Sequence, residues 1–370
     1  MAVALVLSGG NALGAFQAGA WERLEAAGIE PGHIAGTSTG AVNGAIIAGN
    51  PPGRRVERLR HFWNRAAEPA GSLGLAGMPL LPGGAARDAA AAIGMAWTMM
   101  MGRPGFFAPN LAGLTAAIPG SPAFPALFDL GPLRASLAEL VDFERLNAGP
   151  TRLTIVATDL ENGGEVRFDN RETRLTIDHI LASSAFLPAF PPVEIGGRLY
   201  GDGGFSANLP LGAVLDGAED GLLCIAVDLF RPEGHPRTLP AAQDRNLDLF
   251  FASQTHAAII QARHRLDERR RLRRLAAALP AEIRALPGIA ADLADLPPDT
   301  GPESPVRLLH LVHRPDQRVG AKMFDFAAAS LLHRWRAGVD TAERGLAGLS
   351  EATGGSEQRL ALLRVESAGP

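Results

Sequence analysis

The sequence predicts an α/β protein whose mainly parallel central sheet is covered by helices on both faces. Three observations carry the prediction. Short apolar runs rich in Val, Leu and Ile alternate with segments of helical period, the pattern of strands buried on both sides. The first two of these runs each end in a glycine-bearing turn that opens directly into a helix. At 370 residues, with 46% apolar and 20% charged, the chain has the length and balance to bury a large core.

The elements follow in order. Val3–Leu7 reads as the first strand; it lacks a basic n-region and runs straight into a glycine loop, which favours a buried strand over a secretory leader. The loop Gly9–Gly14 leads to a helix over Ala15–Ala27, a strand over His33–Thr37 and a helix over Thr39–Gly49. From about residue 66 to 130 the texture changes to Gly, Pro, Met and Ala, with Met95, Met99, Met100, Met101, Phe106, Phe107, Phe124 and Phe128. Pro79, Pro82, Pro104, Pro109, Pro119, Pro122 and Pro125 are expected to interrupt any long helix there. This apolar Gly/Pro/Met-rich, cap-like insertion is either irregular chain packed on the core or a mobile cap. Further strands are expected at Leu153–Ala157, Val193–Ile195, Leu199–Tyr200, Leu222–Val227 and Val306–Val312, with Gly196-Gly197 as a hairpin turn. Late helices are expected over Asp244–Leu279 and Asp325–Leu349. The expected organisation is a core over residues 1–230 and a mostly helical part over 231–370 packed on it, including the strand near 306–312.

Composition narrows the function classes. The net charge of −4 argues against nucleic acid as a partner. Cys224 is the single cysteine, so no intrachain disulfide forms, and its apolar run predicts an inert buried thiol. No stretch reaches the ~18–20 apolar residues of a membrane span; Ala89–Met101 is shorter and contains Gly94. A cytoplasmic location is expected. The basic stretch His264–Leu275 reads as a solvated helix face, with peripheral docking on anionic lipid headgroups as the alternative.

The chemistry concentrates in three blocks. Gly36-Thr37-Ser38-Thr39-Gly40 is a G-x-S-x-G motif between a strand and a helix, the context that exposes a nucleophilic serine on a sharp turn. Gly36 and Gly40 lack the Cβ atoms that would collide as strand and helix approach. Ser8-Gly9-Gly10-Asn11-Ala12-Leu13-Gly14 is a glycine loop whose free N–H groups suit an oxyanion hole. It lacks the Gly-Lys-Ser/Thr of a phosphate loop and the third glycine of a dinucleotide fingerprint, where Asn11 stands. The third block joins Ala182–Pro192 to Gly201-Asp202-Gly203-Gly204, with Asp202 among glycines at a strand end. Asp, Glu and His lack metal-ligand spacing, so no metal and no cofactor are expected.

Taken in this order, and with Asn208 and Pro210, the blocks resemble the patatin-like phospholipase family over roughly residues 1–210. The segments Phe324-Asp325-Phe326 and Arg334–Gly338 are similar to C-terminal parts of some bacterial members. The resemblance implies a three-layer α/β/α patatin-like fold and hydrolysis of lipid acyl esters through an acyl-enzyme. It carries the nucleophile to Ser38, its dyad partner to Asp202, and the oxyanion loop to Gly9, Gly10, Asn11 and Gly14, with Gly203 and Gly204 supporting Asp202. A lipid or ester substrate is then the expected partner, and the methionines of the insertion would suit varied acyl chains. Two positions depart from the family pattern. Asn11 replaces a usual glycine, which asparagine's tolerance of left-handed backbone accommodates; Leu13 stands where an arginine is frequent, removing a charge near the loop.

Three alternatives stand beside this reading. A Ser-His-Asp triad would draw its base from His310, His313 or His333, of which His313 at a strand end is best placed. An acyltransferase would use the same dyad with an alcohol or thiol acceptor. A catalytically weak lipid-binding protein of the same fold would keep the cavity without the turnover.

Overall fold

The computed structural model describes residues 2–68, 84–113, 124, 126–218, 220–236, 238–294, 305–314, 322–351 and 360–368. The chain opens with β1 (Val3–Leu7), a 3₁₀ turn at Asn11–Gly14, α1 (Ala15–Ala26), β2 (His33–Thr37) and α2 (Thr39–Ala48). Then come α3 (Arg55–Ala67), α4 (Gly84–Met101) and the two-residue strands β3 (Ala108–Pro109) and β4 (Phe128–Asp129). The middle of the chain supplies α5 (Gly131–Leu140), α6 (Phe143–Ala148), β5 (Arg152–Asp159), β6 (Glu165–Asp169), α7 (Ile177–Ser183), β7 (Val193–Ile195) and β8 (Arg198–Asp202). Two single-turn helices, α8 (Gly204–Ala207) and α9 (Gly212–Leu215), precede β9 (Leu223–Asp228). The remainder is α10 (Leu239–Ala278), α11 (Ala281–Arg284), α12 (Pro287–Ala294), β10 (Val306–Val312), α13 (Ala328–Glu351) and β11 (Leu360–Glu366).

Among the described residues these strands form a nine-stranded sheet in the order β11-β10-β9-β1-β2-β5-β8-β7, with β6 on the other edge of β5. From β11 to β5 every pairing is parallel, while β6 and β8 each pair antiparallel with β5, and β7 pairs antiparallel with β8. Alternate residues of each parallel strand enter different cores. Leu5, Leu7, Ile225, Val227, Leu309 and Leu311 pack with α1, α2 and α13 on one face. Ala4, Val6, Cys224, Ala226 and Leu308 pack with Val214 and Leu215 of α9 and Ala262 and Leu266 of α10 on the other. Both faces are thus covered, and the fold is a three-layer α/β/α sandwich. Cys224 is fully buried there, and burial pushes its thiol up to about 12.

The strands on either side of residue 230 share this one sheet, and the late part of the chain is joined to the first helix as well. A methyl group on Gly19 of α1 would lie 1.9 Å from the Trp335 carbonyl oxygen, and one on Gly338 of α13 would lie 2.1 Å from that of Phe16. Two glycines therefore let the α1 and α13 backbones touch.

Several expectations needed correction. Helix α4 was not foreseen; it is alanine-rich and contains none of the insertion's prolines. Much of the insertion, at 69–83, 114–123 and 125, lies outside the described residues. Phe106, Phe107 and Phe128 from its described part are buried in the main core. Helix α10 begins at Leu239, ahead of Asp244, because the Thr238 side chain caps it by accepting the Ala241 N–H (3.3 Å) and Pro240 sits in the first turn. β6 and β11 were not foreseen. No described helix is long and apolar enough to cross a membrane.

Candidate active site

Register on one strand brings the serine and the aspartate together. β5 pairs with β2 through Val156 opposite Thr37, and with β8 through Ala157 opposite Asp202. Residues 154–156 of β5 pair with β2 and β6 at once, and residues 157 and 158 with β6 and β8 at once. β2 and β8 must therefore share the edge opposite β6. They run in opposite directions and meet end to end, so the residue after Thr37 arrives beside Asp202. Ser38 and Asp202, 164 positions apart in the chain, thus meet in one hydrogen-bonding neighbourhood.

Ser38 occupies the turn at the top of β2 with φ 55° and ψ −123°, a region that a non-glycine residue enters only when its surroundings hold it there. Those surroundings are explicit. The Ser38 N–H donates to Ser183 Oγ at 2.8 Å, and Ser183 Oγ–H donates to the Val156 carbonyl at 2.5 Å. The helix start presses on β1: a methyl group on Gly40 would lie 2.2 Å from the Leu7 carbonyl oxygen, and one on Gly36 2.5 Å from that of Gly40. Ser183 belongs to a block the sequence singled out, but its task of tying the serine turn to β5 was not foreseen.

Asp202 is buried at the end of β8. Its Oδ1 accepts the Gly204 N–H at 2.7 Å, and the Ser38 hydroxyl is its side-chain hydrogen-bond partner. Burial pushes the Asp202 carboxyl up to about 7, against the opposing pull of the bonds from Ser38 and Gly204. Among the described residues no cation pairs with it.

The glycine loop flanks this pair. Gly9, Gly10 and Asn11 line one cavity of roughly 300 Å³ together with Ser38 and Asp202. Their amides differ. The Gly9 N–H is used by the Asn208 carbonyl at 3.0 Å, so it is not the free donor expected of it. The Gly10 and Asn11 N–H groups have no acceptor among the described residues. Gly14 does not line the cavity; it precedes α1, and its carbonyl accepts Asn43 Nδ2 at 3.0 Å. Asn11 has φ 51°, the left-handed conformation that asparagine tolerates, and both atoms of its buried side-chain amide lack partners. Leu13 points into the core, fully buried.

The cavity walls are apolar, with Phe106, Phe186, Phe190, Phe251, Phe324 and Leu127 prominent. The insertion and the late part of the chain both contribute. Met99 and Leu127 line the cavity yet remain 38% and 53% exposed, so they form part of its mouth. No histidine lines it among the described residues. His313 is buried, stacked on Phe16 at a centroid distance of 4.6 Å, with both ring nitrogens unpartnered. Burial first, then the charges of Arg334 and Lys322, hold it well below the usual histidine range. His310 faces Asp228 at 3.2 Å, and His333 is exposed. Among the described residues, none of the three late histidines lines the cavity that holds Ser38. In the basic stretch of α10, Arg265 pairs with Asp216, Arg269 donates to the Asp216 carbonyl and Arg273 pairs with Asp220 at 3.2 Å.

A family model described as patatin-like phospholipase matches residues 5–215, and a second, described as patatin phospholipase, matches residues 249–352. Among solved structures, the crystal structure of VipD from Legionella pneumophila is similar at 14% identity, covering 94% of this chain and 67% of that one, with a TM-score of 0.42. No curated protein matches the sequence.

Proposed function

The chain belongs to the patatin-like phospholipase family, whose chemistry is lipid acyl hydrolysis, and on that premise we propose that it is a serine hydrolase cleaving carboxylic esters through Ser38 and Asp202. The observation that carries the proposal is the contact between a strained serine hydroxyl and a buried, cation-free carboxyl inside an apolar cavity. A carboxyl raised to about 7 is matched to general-base work near neutral pH. The apolar walls suit an acyl chain, and the free Gly10 and Asn11 amides suit the charge that develops on the carbonyl oxygen. Exposed Met99 and Leu127 at the mouth support peripheral contact with a lipid surface.

The steps follow. Asp202 takes the Ser38 proton as Oγ attacks the ester carbon, and the carbonyl π electrons move to the oxygen facing Gly10 and Asn11. Collapse of the tetrahedral adduct expels the alcohol oxygen, which leaves with the proton held by Asp202. Water then attacks the acyl-enzyme, gives its proton to Asp202, and releases the acid as Ser38 recovers a proton.

Ester turnover and covalent labelling by a fluorophosphonate probe test the reading. Ser38→Ala is expected to abolish both while leaving the protein folded. Full turnover by that variant would overturn the proposal; an unlabelled, inactive natural chain would point to a lipid-binding protein instead.

A further inference from the structure

The most connected side chain behind the glycine loop comes from the other end of the protein. Arg334 on α13 is buried, at 6% exposure. Its Nη1 donates to the carbonyl oxygens of Asp325 (2.6 Å) and Ala12 (3.4 Å), and its Nη2 to the Lys322 carbonyl (3.3 Å) and Asp325 Oδ2 (3.2 Å). Three of its four acceptors are backbone carbonyls, so the guanidinium is a brace for main chain more than a partner in an ion pair.

The bond to Ala12 matters because of what lies along the peptide from it. The Ala12 carbonyl and the Leu13 N–H belong to one peptide unit. That N–H donates to the Gly10 carbonyl at 3.1 Å. The Gly10 carbonyl in turn shares its peptide unit with the Asn11 N–H, which has no acceptor among the described residues and belongs to a cavity-lining residue. A buried cation thus sits at one end of a two-peptide chain, with a free donor at the other. Positive charge at a carbonyl oxygen polarises the N–H of its own peptide, and successive bonds in such a chain strengthen one another by about 10–30% each. The same bonds fix where the 3₁₀ turn stands. α13 cannot withdraw independently, since Gly338 and Trp335 press its backbone against α1, which leaves the turn directly.

We propose that Arg334 is a positioning residue for the oxyanion site, holding and polarising the Asn11 amide through the Ala12–Leu13 and Gly10–Asn11 peptides. The inference rests on the reading of Ser38 and Asp202 as the dyad. It makes the late part of the chain a working component of a site whose reacting groups all come from residues 9–202. Because Arg334 also grips Lys322 and Asp325, it steadies Met323 and Phe324 between them, which line the same cavity.

The test uses the full chain, a soluble monomeric ester, and a trifluoromethyl ketone as a probe that forms the tetrahedral oxyanion on the serine. Arg334→Gln is expected to lower kcat by about a hundredfold, the scale of a displaced catalytic donor, with KM unchanged and ketone affinity falling in parallel with kcat. Arg334→Lys keeps the charge but not the fork, and is expected to fall between Gln and the natural residue in both readouts. A folded Gln variant with unchanged kcat, or one in which KM alone rises, would overturn the inference. Should Gln fail to fold, a Lys variant with natural kcat and ketone affinity would overturn it as well. Ser38→Ala run alongside separates the two claims: activity surviving there sinks the dyad itself, whereas its loss together with unchanged Arg334 variants sinks only the relay.

Discussion

Two aspartates flank β5, one on each edge, and they are almost equally shielded from water: Asp202 is 2% exposed and Asp169 3%. Their carboxyls nevertheless move in opposite directions. At the β8 edge, burial wins and Asp202 rises to about 7. At the β6 edge, burial pushes the same way but is outweighed by the Thr154 hydroxyl, the Arg171 N–H and Arg152, so Asp169 falls below its ordinary range. Its Oδ2 accepts from Thr154 Oγ1 at 2.5 Å and Arg152 Nε at 2.7 Å. Despite the similar surface exposure, desolvation is deeper at Asp202 and the donors are more numerous at Asp169, and the two differences act in the same direction. A carboxylate supplied with a cation is a strut. One left with a serine hydroxyl and a single backbone N–H suits the base proposed above.

Removing each carboxylate in turn tests that division most severely. Asp202→Asn is expected to lower kcat by about a thousandfold, within the usual range for a lost general base, in a protein that still folds. Asp169→Asn is expected to leave kcat unchanged and to lower unfolding stability by about 2 kcal/mol, since charge-assisted bonds to Arg152 and Thr154 are weakened. Steady-state kinetics with chemical denaturation on both variants measures the contrast. The reverse pattern would mean that the two edges had been read the wrong way round.

Acidity sharpens the same contrast. Asp202 must be ionised to accept the serine proton, so kcat/KM is expected to climb as pH rises through about 7. Its stability effect has the opposite slope. The folded carboxyl holds its proton to higher pH than the unfolded one, whose value is 3.8, so stability falls as pH rises between the two. Above pH 7, Asp202→Asn is therefore expected to be the more stable protein by about 4 kcal/mol, a margin that shrinks toward pH 4. For Asp169 the sign reverses: its depressed carboxyl adds stability that is present above the unfolded value and lost as pH falls through the folded one. Denaturation midpoints across pH for the natural chain and the two Asn variants check both slopes.

What the sequence revealed follows the same line between local and tertiary causes. The bounds of β1 were legible because it is an unbroken apolar run closed by a glycine turn, and those of β2 because its short run ends directly at the glycine-flanked serine turn. The Ser38 turn was legible because its glycines and flanking helix act within five residues, and the left-handed Asn11 because that preference is its own. Gly9 was misjudged because the use of its N–H depends on Asn208, far along the chain. The reach of Arg334 to the loop had no signature either, since its acceptor there is a backbone carbonyl, and any residue carries one. Helix α4 was missed because the surrounding prolines drew the reading away from the alanine-rich stretch that carries it. β11 was missed although its run LALLRVE is as apolar as that of β10, the strand it pairs with. His313 was the best-placed base for the alternative triad from its place at a strand end, and its stacking on the Phe16 ring was not legible in the sequence.

The mildest perturbation of the comparison removes one hydroxyl. Thr154 Oγ1 donates its single proton to Asp169, and it also lies 2.8 Å from His33 Nε2. With the hydroxyl proton spent on the carboxylate, the histidine must be the donor in the second bond. Burial first, then Arg152, lowers His33 to about 4, so the ring is neutral at pH 7 with its proton on Nε2. Thr154→Val keeps the shape and strips both bonds at once. It is expected to cost about 1–2 kcal/mol of stability and to move the acid-side loss of stability to higher pH, because Asp169 is then held down less firmly. Nothing in this triad of Thr154, Asp169 and His33 touches the cavity, so kcat and its pH profile should stay where they are. A shift in that profile would mean that the two edges of β5 communicate, and that Asp202 owes its raised carboxyl to more than its own surroundings.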